Sequence, residues 1–194
     1  MIIKGFVKVD VQKVTYHEIN FVPLSPNYFK VMHKWFNTKH VQKFYSLRDW
    51  TLEEVIHEFT PRIHQVDGTQ GYIIHIQDMP IGYIQFYVLA DYPSPQQNFS
   101  REIIQNGAGI DLFMGENDFL GKGISYHAFE MFLTLYIWPK FTYCVVDPDV
   151  NNRASKNFFK KLRFKEHKII DTKDALGCKV QLQLMIKRAS EEYV

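Results

Sequence analysis

Residues 109–137, GIDLFMGENDFLGKGISYHAFEMFLTLYI, decide the fold. Gly109 to Met114 is a short apolar run bounded by turn residues, which predicts a strand. From about Gly123 to Ile137 the chain is apolar enough for a helix, and Glu130 and Thr134 within it favour a helix buried in a core over one that crosses a membrane. Between strand and helix lies LGKGIS, Leu120 to Ser125. Glycines at 121 and 123 let backbone approach an anion closely, and the start of the helix aims free N–H groups and the positive end of its dipole at the same point. A phosphate or diphosphate fits such a turn, as does nothing more than a change of direction. Two nucleotide motifs are excluded: Glu116 stands where a P-loop needs glycine, and Tyr126 where the dinucleotide fingerprint needs its third.

Downstream, Phe141 to Val146 reads as a strand, and DPDVNNRASKNFFKKLRF (Asp147 to Phe164) carries a helix from about Asn152 to Leu162. Two extended segments follow, Phe164 to Ile170 and Cys178 to Ile186. Upstream, residues 6–23 are rich in β-branched side chains and predict one or two strands. Pro26 opens a helix that ends at Asn37, and Thr51 with Glu54 forms a capping box for a second, which Pro61 breaks or kinks. Residues 71–77 and 81–89 form a hairpin about Asp78, Met79 and Pro80, and 90–106 form an exposed excursion bordering a site. Strands and helices alternate without an internal repeat, which makes this an α/β chain, one domain over 1–194.

Composition narrows the function. Of 194 residues, 46% are hydrophobic and 23% charged, the balance of an ordinary globular protein, and 23 Lys plus Arg against 21 Asp plus Glu gives no field that calls for nucleic acid or a membrane as partner. Cys144 and Cys178 lack a CxxC spacing, and the His57–Glu58 pair meets Pro61 where a zinc helix needs histidine, so neither disulfide nor metal is expected. Trp35, Trp138 and Cys144 read as core. The N-terminal stretch is interrupted by Lys4, Lys8 and Asp10, and the location is read as cytoplasmic.

The glycine turn and the later segment together resemble the GNAT family of acetyl-CoA-dependent N-acetyltransferases. Leu120, Gly123 and Ser125 match the family's phosphate turn, and Asn152, Ser155, Phe159, Lys161 and Phe164 match its later asparagine-to-phenylalanine run. The order of elements from about 15 to 187 agrees as well. The resemblance implies a central mixed β-sheet flanked by helices, with acetyl-CoA as cosubstrate and no metal. It places the cosubstrate against the backbone of Leu112, Phe113 and Met114, the turn Leu120, Gly121, Lys122, Gly123, Ile124 and Ser125, and Asn152 and Phe159. Within the family, Gly109 to Asp111, Leu120 to Gly123, and Asp147, Pro148 and Asn152 resemble the aminoglycoside 6′-N-acetyltransferases, so the acceptor is expected to be a small-molecule amine. A neighbouring branch, which acylates lysine- and hydroxylysine-like amines in siderophore synthesis, has histidine where this chain has Asp111. A third reading is an acyl-CoA-binding module without turnover, since Leu120, Arg163 and Phe159 depart from the family pattern. Arg163 at the glycine position predicts that its helix lacks the usual left-handed cap, and Phe159 replaces a tyrosine thought to protonate the leaving thiolate.

An ammonium must lose a proton before it attacks a thioester. Asp111, an aspartate in mid-strand where that residue is disfavoured, is the expected acceptor, against a purely structural carboxylate. Asp147, Asp174 and Asp91 would meet further ammonium groups, with turn formation or solvation as the alternative for each, and Phe44 and Tyr45 would stack on a sugar face or sit in the core. Water, Tyr126 or another hydroxyl would protonate the thiolate. The aromatic-rich ends leave monomer and homodimer open.

Overall fold

The computed structural model describes residues 18–189 apart from 65, 67, 93 and 95, so the strand expected within 6–17 lies outside the described residues. Strands β1 (Ile19–Pro23), β2 (Gln70–Ile76), β3 (Met79–Val88), β4 (Gly107–Met114), β5 (Tyr143–Val146), β6 (Lys165–Lys173) and β7 (Lys179–Arg188) form one sheet in the order β1-β2-β3-β4-β5-β7-β6. Every neighbouring pair is antiparallel except β4 with β5. Helices α1 (Phe29–Phe36), α2 (Lys39–Val41), α3 (Leu52–Ile63), α4 (Arg101–Gln105), α5 (Ile124–Phe132) and α6 (Arg153–Lys161) connect them, giving the expected mixed sheet with flanking helices.

Helical spacing decides which face each helix covers. α1 buries Phe29, Met32, Trp35 and Phe36, and α3 buries Val55 and Phe59, against Ile73 and Tyr83 of the sheet and Phe113 of β4. A fully buried phenylalanine such as Phe59 contributes roughly 2 kcal/mol. On the opposite face, Ala128, Phe129 and Phe132 of α5 and Phe159 of α6 pack on Ile84, Phe86 and Ile110. α5 continues as a π-helical turn, Leu133–Ile137, so helical backbone does reach Ile137. Among the described residues no helix is long and apolar enough to cross a membrane.

Three local expectations need correction. Pro61 lies inside α3 without ending it there, because it sits in the last turn, where its missing N–H costs a single helical bond. Pro80 belongs to β3, paired with His75 beside a bulge, and Gln77 in the left-handed region (φ 53°) makes the turn instead. Arg163 adopts the left-handed conformation after all (φ 65°): the Phe164 N–H reaches the Phe159 carbonyl and the Arg163 N–H that of Lys160, each at 3.0 Å, a complete Schellman cap without glycine.

The site follows from where β4 and β5 part. They pair only over Gly107–Gly109 and Tyr143–Val145. Beyond that, β4 stays with β3 up to Gly82 opposite Met114, whereas the chain after Val146 is drawn to β7. The Gln183 N–H bonds the Pro148 carbonyl and the Val150 N–H that of Gln181, each at 2.9 Å, and Asp149 bridges to Leu182. The two neighbours pull the strands apart and leave a fork.

Candidate active site

The fork opens into a cleft of about 920 Å³. Phe44, Tyr45, Asp111, Leu112, Phe113, Met114, Leu120, Asp147, Asn152, Phe159 and Asp174 all line it, brought together from five separate stretches of chain. Asp91 does not: it lies at the far end of β3, with its Oδ2 beside Gly68. None of the described residues within 90–106 lines this cleft, although Gln96 lines an adjoining cavity that shares Asp149 and Asn151 with it.

Strand geometry sorts the backbone donors of β4. The Gly115 N–H bonds Ile81 of β3, so in an antiparallel pair the N–H of Phe113 also points to β3, and those of Leu112 and Met114 point into the fork. The Met114 carbonyl, on the same side, meets His40 Nε2 at 2.8 Å. Phe113 therefore offers the cleft its ring but no free N–H, which corrects the sequence reading for that residue.

On one side of the cleft, Leu120 leads into exposed Gly121, Lys122 and Gly123. Both glycines are left-handed (φ 71° and 80°), and a methyl group at either would meet nothing within 4 Å, so the requirement is conformational and the space beside the backbone is open. α5 begins immediately after, with Gly123 as its N-cap and Ile124 buried in the core; Tyr126 and His127 donate to the Gly123 carbonyl at 3.0 and 3.3 Å, and the N–H groups of Ile124 and Ser125 have no partner within the helix. Asn152 caps α6 through a 3.1 Å bond to the Ser155 N–H, and both residues line the cleft. This open turn between two helix starts has the shape and dipole a diphosphate requires.

The chemistry lies at the other side. Gln85 stands opposite Asp111 in the ladder and donates from Nε2 to Asp111 Oδ2 at 2.7 Å, while the Tyr83 hydroxyl donates to Gln85 Oε1 at 2.8 Å. Protein packed around the Asp111 carboxylate raises its pKa, with Gln85 and the Arg62 charge acting in the opposite direction. Asp147, at the end of β5, is pushed up to about 7, first by loss of hydration and then by the Asp111 charge, against its own backbone N–H. The negative charge on Asp111 thus favours the protonated form of Asp147. Burial and the Asp111 charge likewise raise the Tyr45 and Tyr87 phenols well above their usual range, and Asp147 adds to the effect on Tyr87. Tyr87 reaches this place by lying on Gly109, whose Cβ would come within 2.3 Å of its ring.

Two alternatives from the sequence can now be placed. Asp174 Oδ1 accepts from the N–H groups of Leu176 and Cys178, each at 2.9 Å, so the residue builds its turn and lines the cleft as well. The Tyr126 hydroxyl donates to Glu130 Oε1 at 2.9 Å along its own helix, whereas Ser155 lines the cleft one helical turn before Phe159. Tyr83, Gln85, Tyr87, His40 and Arg62 were not read as site residues from sequence. The signal for the first three was present in IGYIQFYVL, where Tyr, Gln and Tyr alternate with Ile, Phe and Val and so share one face of the strand.

Comparison with known proteins agrees with this geometry. The chain is 24% identical over 147 residues to the aminoglycoside N(6′)-acetyltransferase type 1 of Klebsiella pneumoniae, covering 74% of this chain and 72% of that protein. It is similar in fold to the crystal structure of aminoglycoside acetyltransferase AAC(6′)-Ib in complex with coenzyme A, with a TM-score of 0.72 at 20% identity over 88% of this chain and 94% of that one. It is also similar to the spermidine N-acetyltransferase from Vibrio cholerae in complex with CoA and spermine, with a TM-score of 0.69 at 12% identity over 89% and 96%. The family model described as acetyltransferase (GNAT) domain matches residues 27–172, a span that takes in the fork, the glycine turn and the Asn152-capped helix at once. The chain belongs to the GNAT family of acetyltransferases.

Proposed function

We propose that this protein transfers the acetyl group of acetyl-CoA to a primary amine, and that the acceptor is an aminoglycoside modified at its 6′-amino group. The observation that carries this reading is the Asp111–Asp147 pair at the mouth of the fork, with one oxygen of Asp111 held by Gln85 and both residues lining the cleft. The curated relatives, aminoglycoside N(6′)-acetyltransferases, support the choice of acceptor. The reading extends to one catalytic domain acting in the cytoplasm, where acetyl-CoA is found.

The chain's own groups divide the work. The backbone at Gly121 to Ser125 binds the diphosphate of the cosubstrate. The carboxylate pair binds the acceptor ammonium and takes its proton, a transfer helped by raised carboxylate pKa values, because an ordinary aspartate near ~3.9 is a poor base for an amine. The freed nitrogen bonds to the thioester carbon, and the N–H of Leu112 or Met114 stabilises the charge that develops on the carbonyl oxygen. The carbon–sulfur bond then breaks, and the nitrogen, positively charged after the attack, gives up its second proton to water as the amide forms. A thiol of this kind resembles cysteine, with a pKa of ~8.5, so the sulfur leaves as thiolate and takes a proton from water without help from Phe159. Asp174 and Asp149, both at the cleft, meet the remaining ammonium groups.

Thiol release measured with kanamycin, tobramycin, lysine and N6-hydroxylysine tests the acceptor. Higher kcat/KM for the aminoglycosides supports the reading. Higher kcat/KM for hydroxylysine gives the siderophore-type branch instead, and coenzyme A binding without thiol release for any amine gives the non-catalytic module.

A further inference from the structure

Behind Asp111, away from the cleft, lies a directed chain of hydrogen bonds. Arg62, in the last turn of α3, is hydrogen-bonded to the Tyr83 hydroxyl and paired with Glu58. Tyr83 is 0% exposed and donates to Gln85 Oε1; Gln85, 7% exposed, donates to Asp111 Oδ2. A guanidinium has only donors and an ionised carboxylate only acceptors. With those two ends fixed, every group between them has one orientation. Tyr83 accepts from Arg62 and gives its single hydrogen to Gln85, which in turn presents its carbonyl to Tyr83 and its NH₂ to Asp111. Turning the amide over would set a carbonyl oxygen against a carboxylate. The chain does not conduct protons, because neither a guanidinium nor an amide releases one at these pH values. It only sets direction.

We propose that Arg62, Tyr83 and Gln85 are positioning residues for acetyl transfer, which hold Asp111 ionised with Oδ1 turned to the cleft as the atom that receives the amine's proton. This rests on the reading of Asp111 as proton acceptor and adds three residues that touch neither substrate. The groups facing Asp111 from the surrounding elements are Gln85 and Tyr87 of β3, Tyr45 of the π-helical turn Gln42–Ser46 that follows α2, Arg62 of α3, which is itself paired with Glu58, and Asp147 after β5. Of these, Gln85 is the donor bonded to Asp111, and Tyr83 decides which way Gln85 faces.

Steady-state kinetics from pH 5.5 to 9.5, on the full chain with acetyl-CoA and kanamycin, test the proposal through Tyr83→Phe and Gln85→Glu, with thermal melting alongside. Tyr83→Phe frees the amide to turn. The acid limb of kcat should move up by about one pH unit, so that kcat at pH 6.5 falls about tenfold while KM for acetyl-CoA stays and rates converge above pH 9. Gln85→Glu, which keeps the shape but places a second carboxylate against Asp111, should move the limb further, and it carries the test if Tyr83→Phe does not fold. Folded variants with the wild-type pH profile would overturn the proposal. Asp111→Asn in the same assay separates the two levels. If it keeps wild-type rates, the proton-acceptor reading fails; if it loses them while the other variants keep the wild-type profile, only the positioning chain fails.

Discussion

Asp147 follows β5 across the fork from Asp111, and the charge on Asp111 helps hold the proton on Asp147 to about pH 7. Two carboxylates in one field titrate as a pair, so acetyl transfer should gain rate as pH rises through neutrality. Asp147→Asn removes the like charge and should shift the acid limb of kcat/KM downward. A limb that stays in place in that variant would mean the pair does not govern the rate.

The same pair costs stability above its titration range. For a carboxylate whose folded pKa is raised, the stabilising effect of its proton is complete below the unfolded value of ~3.9 and is lost as pH rises through the folded one. For Asp147 that window runs up to about 7. Asp147→Asn should therefore raise the melting temperature at pH 8 and leave it unchanged near pH 3, which scanning calorimetry at the two pH values will show.

Asp111→Asn keeps the Gln85 contact geometry but cannot take a proton. We expect kcat to fall by about 10²-fold or more, while coenzyme A affinity, which the proposed function assigns to the glycine turn, stays the same by calorimetric titration.

Phe159→Tyr adds a hydroxyl to the cleft wall, where Phe159 lies beside Phe164 at 5.4 Å between ring centres. If the thiolate leaves unaided, the new acid should change kcat less than about threefold at pH 8, because the thiol pKa of ~8.5 is already close. A gain of several tens of fold would show that thiolate protonation limits the natural enzyme.

Arg163 closes α6 in a conformation that costs a non-glycine residue roughly 1 to 2 kcal/mol. Arg163→Gly should stabilise the fold by about 0.5 to 1 kcal/mol, a melting shift of roughly 1 to 4 °C, after allowance for the greater freedom of glycine in the unfolded chain.

Local chemistry made much of this molecule legible in sequence. The Thr51–Glu54 capping box forms as read, with bonds of 3.2 and 2.7 Å, and the glycine turn and the Asn152 cap stand where the residue types place them. Phe44 and Tyr45 did reach the cleft. What was not legible depends on register between distant strands. Gln85 matters because it pairs with Asp111 across 26 positions of chain, and Arg62 because α3 packs its last turn over that strand pair. Asp91 failed for the same reason: its charge was visible, but its place at the wrong end of β3 was not. Arg163 shows the limit of residue preference, since two backbone bonds and the Phe159–Phe164 contact hold a conformation that its side chain disfavours.

The most direct test of acetyl transfer at this fork is one quenched reaction of the purified chain with equimolar acetyl-CoA and kanamycin, assayed together for free thiol and for the acetylated nitrogen by NMR. Thiol and 6′-N-acetylkanamycin should appear in equal amounts, and both should be lost in Asp111→Asn. Coenzyme A binding with neither product, or equal yields from the Asp111 variant, would contradict the account.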